Sequence, residues 1–257
     1  MTDVLIVFGS PSDSKIYEAI QKNIPNSKAV ACSAHRSPDV LDILVKKTDA
    51  EVIVAGAGLA AHLPGVIAAK TIRPVIGVPV NSNFQGLDSL LSIVQMPPGV
   101  PVMCVGVDNA HEAAKFASMM LEQHDGVTIT GEIKNGIVKK AIEILEKFNV
   151  HYVIEDELSV KNANVHFGNV AAKKALTINI PLLDITKAEN SLQLMHMMKN
   201  GLWIGVGRVE NAALAAVEIL NLNGKYTKAL NEYRREMREK IIEGMKKIDH
   251  GLEKYAK

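Results

Sequence analysis

The feature that most restricts this chain is an alternation. Short β-branched and apolar runs are each followed by a polar or glycine-rich turn, and then by apolar residues at helical spacing. Val4-Leu5-Ile6-Val7-Phe8 is one such run, with the continuous apolar pattern of a strand buried on both faces. After Gly9-Ser10-Pro11-Ser12-Asp13, residues Ile16, Tyr17, Ile20 and Ile24 recur at helical spacing. Further strands are predicted at 29–32, 51–55, 74–80 and 100–107, with helices between them and a last one from about Asn109 to Glu122. Parallel neighbours need crossover connections, and helical crossovers cover both faces of a sheet. The expected class is α/β: a parallel sheet flanked by helices.

The second half repeats the theme less regularly. Strands are predicted at 127–130, 151–155 and 181–185, and an amphipathic helix at 137–148 with Ile137, Ala141, Ile144, Leu145 and Phe148 on one side. Ser89-Leu90 matches Ser191-Leu192, Gly99 matches Gly201, and Asn109-Ala110 matches Asn211-Ala212, all 102 residues apart. Pro74-Val75-Ile76 matches Pro181-Leu182-Leu183 at an offset of 107, implying a loop about five residues shorter in the second copy. Chance similarity of two Ala-rich helices is the alternative, but a match through loop, strand and helix favours an internal duplication. The expected division is a first domain at 1–124 and a degenerate repeat at 125–257. The repeat has no counterpart of the Gly-Ser-x-Ser-Asp turn; residues 130–134 stand there instead. It also lacks a Ser-Ala-His-Arg segment, and residues 164–169 are read as a decayed form of the Gly-Leu-Ala-Ala-His-Leu-Pro-Gly segment at 58–65. A long helix, about 225–254, closes the chain. Its stripe of Tyr226, Leu230, Tyr233, Met237, Ile241, Met245 and Ile248 is expected to pack on a partner subunit.

A formal net charge of +1 argues against a surface that coats nucleic acid. Cys32 and Cys104 each lie in apolar runs and read as buried thiols of a reducing compartment. No apolar run approaches the ~20 residues that span a bilayer, and the N-terminus carries no signal-peptide pattern. A cytoplasmic protein without membrane or nucleic-acid partners is expected.

In a parallel sheet, ligands bind at the carboxyl ends of the strands. Four polar or glycine-rich segments fall there: 9–13, 33–37, 56–65 and 79–88. In the first, Gly9 permits a turn out of the strand, and Ser10 and Ser12 offer hydroxyls near helix N–H groups that suit a phosphate. Asp13 would repel a phosphate but could accept from ribose hydroxyls, and Ser12 or Asp13 could instead merely cap the helix. In the second, Ser33-Ala34-His35-Arg36-Ser37-Pro38, Ser37 reads as N-cap and Pro38 as the first helical residue. That leaves His35, which can move a proton near neutral pH, and Arg36, which suits bidentate phosphate binding. The small residues around Gly58 and Ala60 let a flat ligand approach the backbone. His62 serves either the pocket or a local cap. There is no Gly-Lys-Ser/Thr loop and no Gly-x-Gly-x-x-Gly, which disfavours triphosphates and dinucleotides. No metal-ligand pattern is visible.

These segments, with Pro74-Val75-Ile76-Gly77-Val78-Pro79 and Gly86-Leu87-Asp88-Ser89-Leu90-Leu91-Ser92-Ile93-Val94-Gln95-Met96-Pro97, resemble the PurE family of purine biosynthesis over about residues 3–122. Asn231-Glu232-Tyr233-Arg234-Arg235-Glu236-Met237-Arg238 resembles that family's C-terminal helix. The resemblance implies a flavodoxin-like three-layer sandwich, here duplicated. It implies N5-carboxyaminoimidazole ribonucleotide mutase activity without cofactor or metal, and a homotetramer imitating the family's octamer. By the same resemblance His35 is the acid–base group. The ribonucleotide would be held by Gly9, Ser10, Ser12, Asp13, Ser33, Ala34, Arg36, Gly58, Ala60, His62 and Leu63. A branch of the family carboxylates aminoimidazole ribonucleotide with free CO2 and typically has lysine after the histidine. Arg36 and the intact Ala60-Ala61-His62-Leu63-Pro64-Gly65 place this chain with the mutases. Pro11 is unusual for the serine turn. A non-catalytic nucleotide-binding module is the competing class.

Overall fold

The computed structural model describes residues 2–133, 135–170, 174–184 and 186–248. Five strands come from the first half: β1 Val4–Phe8, β2 Ser27–Ala31, β3 Val52–Ala57, β4 Val75–Pro79 and β5 Met103–Cys104. They alternate with α1 Ser14–Asn23, α2 Pro38–Lys47, α3 Leu63–Ala68, α4 Leu87–Val94 and α5 Ala110–Met120. The second half supplies β6 Val127–Gly131, α6 Asn135–Lys147, β7 Tyr152–Ile154, β8 Ala163–Phe167 and β9 Thr177–Ile180. It ends with α7 Asn190–Met197, β10 Leu202–Trp203, α8 Val209–Ile219 and α9 Thr227–Ile248.

All ten strands form one sheet in the order β2-β1-β3-β4-β5-β10-β9-β8-β6-β7. Every pairing is parallel except β5 with β10, where Cys104 faces Trp203 antiparallel. Read outward from that junction, the two halves have the same strand order. The interior lies in two layers, one on each face of the sheet. Val4, Ile6 and Phe8 pack with Ile20 of α1 and Phe116 of α5, while Leu5 and Val7 pack with Leu41 of α2 and Ile67 of α3. Each such aliphatic or aromatic side chain contributes about 1.5–3 kcal/mol by leaving water.

The second half uses the face next to α2 and α3 differently. Its ladder registers put Thr128 and Thr130 where β1 has Leu5 and Val7, Asn164 and His166 where β3 has Ile53 and Ala55, and Thr177 and Asn179 where β4 has Val75 and Gly77. No helix lies between β7 and β8, or between β8 and β9, among the described residues. Loops cover this face instead, and polar strand residues bond to them. Asn164 Nδ2 donates to the Ser159, Asn162 and Leu176 carbonyls, and its Oδ1 accepts from Ser159 N at 2.8 Å. Asn179 Oδ1 accepts from Val170 N, and its Nδ2 donates to the Leu202 carbonyl. Buried polar groups are tolerated when bonded in this way.

Several boundaries differ from expectation. The fifth strand is two residues long, since Pro101 offers no N–H and both neighbours pair only around Met103 and Cys104. The strand expected at 181–185 precedes Pro181, and Ile185 and Lys134 lie outside the described residues. Pro181 therefore follows β9 where Pro79 ends β4, giving the same offset of 102 as the glycines and no five-residue deletion. Asn109 and Asn211 are not counterparts either. Asn109 is the N-cap of α5, whereas Asn211 is the third residue of α8 and corresponds to Glu112. The two play matching parts across the junction: Gly99 N donates to Asn211 Oδ1 at 2.7 Å and Gly201 N to Glu112 Oε2 at 2.8 Å. Residues 164–167 are strand β8 rather than a decayed glycine-rich loop.

The N-terminal part of the α9 stripe packs on its own chain, not on a partner. Tyr226 and Leu230 are buried, and the Tyr233 ring lies 5.6 Å from that of Phe148. Met237 lies so close to Gly99 that a Cβ there would come within 2.2 Å of it. Ile241 is 69% exposed, and the side chain of Ile248, like the segment up to Lys254, lies outside the described residues. Arg234 Nη2 meets the buried Glu218 of α8 at 3.1 Å. Burial pushes the Glu218 carboxyl up to about 8, against the opposing pull of Arg234. The folded protein then keeps a proton that the unfolded chain releases near its ordinary value of 4.5. The resulting stabilisation is complete below that value and is lost as pH rises through about 8. Melting temperatures measured from about pH 5 to 9 should fall, and Glu218→Gln should flatten this dependence. A wild-type profile no steeper than that of Glu218→Gln would contradict the assignment.

Candidate active site

The carboxyl ends of β1, β2, β3 and β4 open onto one cavity of about 610 Å3. All four predicted segments reach it. From the turn after β1 come Gly9, Ser10, Ser12 and Asp13; from the turn after β2 come Ser33, Ala34, His35 and Arg36. The turn after β3 supplies Gly58, Ala60, His62 and Leu63. The cavity is also lined by Ala57, Leu59, Val80, Asn81 and Ser82, which were not singled out as site residues. The segment at 79–88 contains the last two, but neither side-chain type distinguishes a wall residue from a solvated one.

The turn after β1 is a short 3-10 turn over Pro11–Asp13. Ser10 is its N-cap, accepting from Ser12 N at 3.2 Å, and Pro11 takes the first position, where a missing N–H costs nothing. That accounts for Pro11. The Ser10 and Ser12 hydroxyl oxygens are 2.8 Å apart, and Ser12 Oγ donates to Asp13 Oδ1 at 3.2 Å. Asp13 makes no side-chain cap to α1, so its carboxylate joins the two hydroxyls in a polar edge on the cavity. Burial, the largest cause, holds Asp13 above the usual carboxylate range; Ser12 lowers it and the neighbouring Asp108 raises it. Gly9 is not in a left-handed conformation, and a Cβ there would meet Ala57 at an ordinary 3.7 Å. The freedom expected of it is unused. Its carbonyl accepts from Arg36 Nη2 at 3.2 Å and so anchors the guanidinium over the turn.

The turn after β2 closes on itself. Ser37 precedes α2, but its side chain makes no cap; Ser37 Oγ donates to Ser33 O at 3.1 Å and accepts from Ser33 N at 3.2 Å. Arg36 N donates to Ser33 Oγ at 3.2 Å. These bonds leave the His35 and Arg36 side chains exposed toward the cavity. His35 Nε2 lies 2.9 Å from His62 Nδ1, with the rings edge to face at 5.1 Å and 82°. His62 occupies the cap position of α3 without a side-chain cap bond, so its ring serves the pocket. The glycine-rich turn divides its work. A Cβ on Gly56 would fall 2.2 Å from the Phe8 ring, which makes that glycine a packing residue, whereas Gly58 borders the cavity against Ser82. Leu59 takes the left-handed backbone instead, at φ 55°, and its N–H donates to Ser82 Oγ at 3.0 Å.

Chemically, the cavity offers an anchored guanidinium and two hydroxyls for an anion, a carboxylate for hydroxyl groups, and a paired imidazole. Among the described residues there is no group of three or more His, Cys, Asp or Glu that could hold a metal ion, and no helix is long and apolar enough to cross a membrane.

The AIR carboxylase family model matches residues 3–135, just over half of the 257-residue chain. The chain is 44% identical over 159 residues to an N5-carboxyaminoimidazole ribonucleotide mutase of Methanocaldococcus jannaschii, a match covering 60% of this chain and 95% of that protein. It is 47% identical over 135 residues to the Escherichia coli K12 protein of the same name, covering 48% of this chain and 78% of the relative. A probable N5-carboxyaminoimidazole ribonucleotide mutase of Methanobrevibacter smithii is 41% identical over 177 residues, 63% of this chain and 52% of that longer protein. The matched region contains every loop that builds the cavity, and the protein therefore belongs to the AIR carboxylase, or PurE, family.

Proposed function

We propose that the cavity isomerises N5-carboxyaminoimidazole ribonucleotide, moving the carboxylate from the exocyclic nitrogen to ring carbon C4. The observation that carries this reading is that His35 and Arg36 reach one cavity together with Ser10, Ser12 and Asp13. Arg36 and the serine hydroxyls face the substrate phosphate, and Asp13 accepts from the ribose hydroxyls. His35, as imidazolium, protonates the nitrogen as its bond to the carboxyl carbon breaks and CO2 leaves. The electron-rich C4 then attacks CO2, and the neutral His35 removes the C4 proton, restoring the imidazolium and the ring. Protons balance over the cycle, and no cofactor takes part. His62, bonded to His35, orients the ring. Retaining CO2 between the steps needs a small, dry compartment, which suits the Gly58 and Ala60 wall. The free-CO2 carboxylase is the second reading; Arg36 in place of that branch's lysine favours the mutase.

Residues 1–124 form the catalytic domain and residues 125–257 a degenerate repeat. The common strand order supports this division, and so does the lack, among the described residues, of helices corresponding to α2 and α3 in the repeat. The protein works in the cytoplasm as a homotetramer in which each chain takes the place of two family subunits; sedimentation as a monomer would contradict that assembly. The reaction is tested by offering purified protein either the carbamate, or aminoimidazole ribonucleotide with bicarbonate. Rapid product formation from the carbamate is expected, and efficient use of the second pair alone would overturn the mutase assignment.

A further inference from the structure

Asp108 stands out because its backbone conformation and its side chain argue in opposite directions. It has φ 55°, in the left-handed region where glycine is favoured and aspartate is one of the few alternatives. In the second half, the corresponding position before α8 is Gly207, at φ 66°. The backbone therefore needs no carboxylate here. In the first half the carboxylate has a specific partner: Asp108 Oδ1 accepts from Asn81 N at 2.8 Å, while Asp108 N donates to Pro79 O at 2.8 Å. Asn81 lies in the loop after β4 and lines the cavity beside Ser82, whose hydroxyl accepts from Leu59 N at the rim of the turn after β3. One carboxylate thus braces two walls of the site. The next residue, Asn109, caps α5 by accepting from Glu112 N, and its Nδ2 donates to Lys199 O of the second half at 3.0 Å. The base of the brace is therefore fixed to the junction rather than to a free loop.

We infer that Asp108 is a positioning residue for the proposed reaction, clamping Asn81 so that the Asn81, Ser82 and Leu59 wall is set before substrate binds. This rests on the mutase reading of the cavity. Asp108→Gly removes the clamp while suiting the backbone, so the fold should survive with an unchanged melting temperature. A preformed wall acts on bound substrate and transition state alike, so its loss falls on KM rather than kcat. From the strength of a charge-assisted hydrogen bond, KM for the carbamate should rise about tenfold with kcat within about threefold, and amide exchange at Asn81 should accelerate about tenfold. Asp108→Asn keeps an acceptor oxygen and should return both readings to within about threefold of wild type. The inference is overturned if Asp108→Gly leaves KM and Asn81 exchange unchanged, or if Asp108→Asn is as impaired as Asp108→Gly. Wild-type enzyme assayed in parallel separates the two ideas. An inactive wild type would defeat the reaction, while Asn81 exchange would still decide the clamp.

Discussion

Replacing His35 with Asn should reduce kcat for the carbamate by about 10²–10⁴, the usual contribution of a positioned acid–base group, with a much smaller change in KM. Asparagine can still face His62 across the 2.9 Å contact that His35 makes, but it cannot carry a proton between the nitrogen and the ring carbon. Substrate binding should persist, because Arg36 is anchored separately on the Gly9 carbonyl and its backbone on Ser33. Steady-state kinetics, with binding measured by calorimetry, check both parts. A loss of less than about tenfold in kcat would remove His35 from the proton-transfer role and favour a binding module.

The largest effect on stability is expected at the junction between the halves. Trp203 is fully buried. Its backbone pairs with Cys104 across the antiparallel seam and with Asn179 in its own half, and its Nε1 donates to Asn200 O at 2.8 Å. The surrounding backbone leaves little room to collapse. A Cβ on Gly106 would fall 2.6 Å from Lys199 O, and one on Gly205 would fall 2.4 Å from Val94 O. A cavity left by Trp203→Ala would therefore stay open, and the substitution should cost about 3–5 kcal/mol. For a chain of this size that lowers the melting temperature by roughly 10 °C or more. Far-ultraviolet circular dichroism suits the measurement, since the variant loses the protein's single tryptophan. A cost under about 1 kcal/mol would show that the two halves do not share one continuous interior.

The first half was legible because its strands are buried on both faces. Val4–Phe8 and Val52–Ala57 are continuous apolar runs, and the loops after them stand out by contrast. All twelve predicted site residues line the cavity for the same reason: parallel topology places every strand's carboxyl end on one side. In the second half the predicted strands at 127–130 and 151–155 are present as β6 and β7, but β8 and β9 were hidden. Ala163–Phe167 and Thr177–Ile180 alternate apolar residues with Asn, His and Thr, and among the described residues loops rather than helices connect β7 to β8 and β8 to β9. Polar residues that bond to a covering loop cannot be told in sequence from those that face water. The same ambiguity concealed Asp108, whose meaning depends on a positive φ and on an amide 27 positions away. The α9 stripe was correctly periodic, but periodicity names a face and not what covers it; Phe148 and Gly99 cover the start of this one.

The most direct test of the proposed reaction follows the carboxyl carbon itself. Carbamate labelled with carbon-13 in the carboxyl group is given to the enzyme in a large excess of unlabelled bicarbonate, and the C4-carboxylated product is read by NMR. If the cavity transfers CO2 within one closed site, the product should keep the label. Product carrying mainly unlabelled carboxylate would mean that CO2 enters from solution, and would contradict the mutase mechanism.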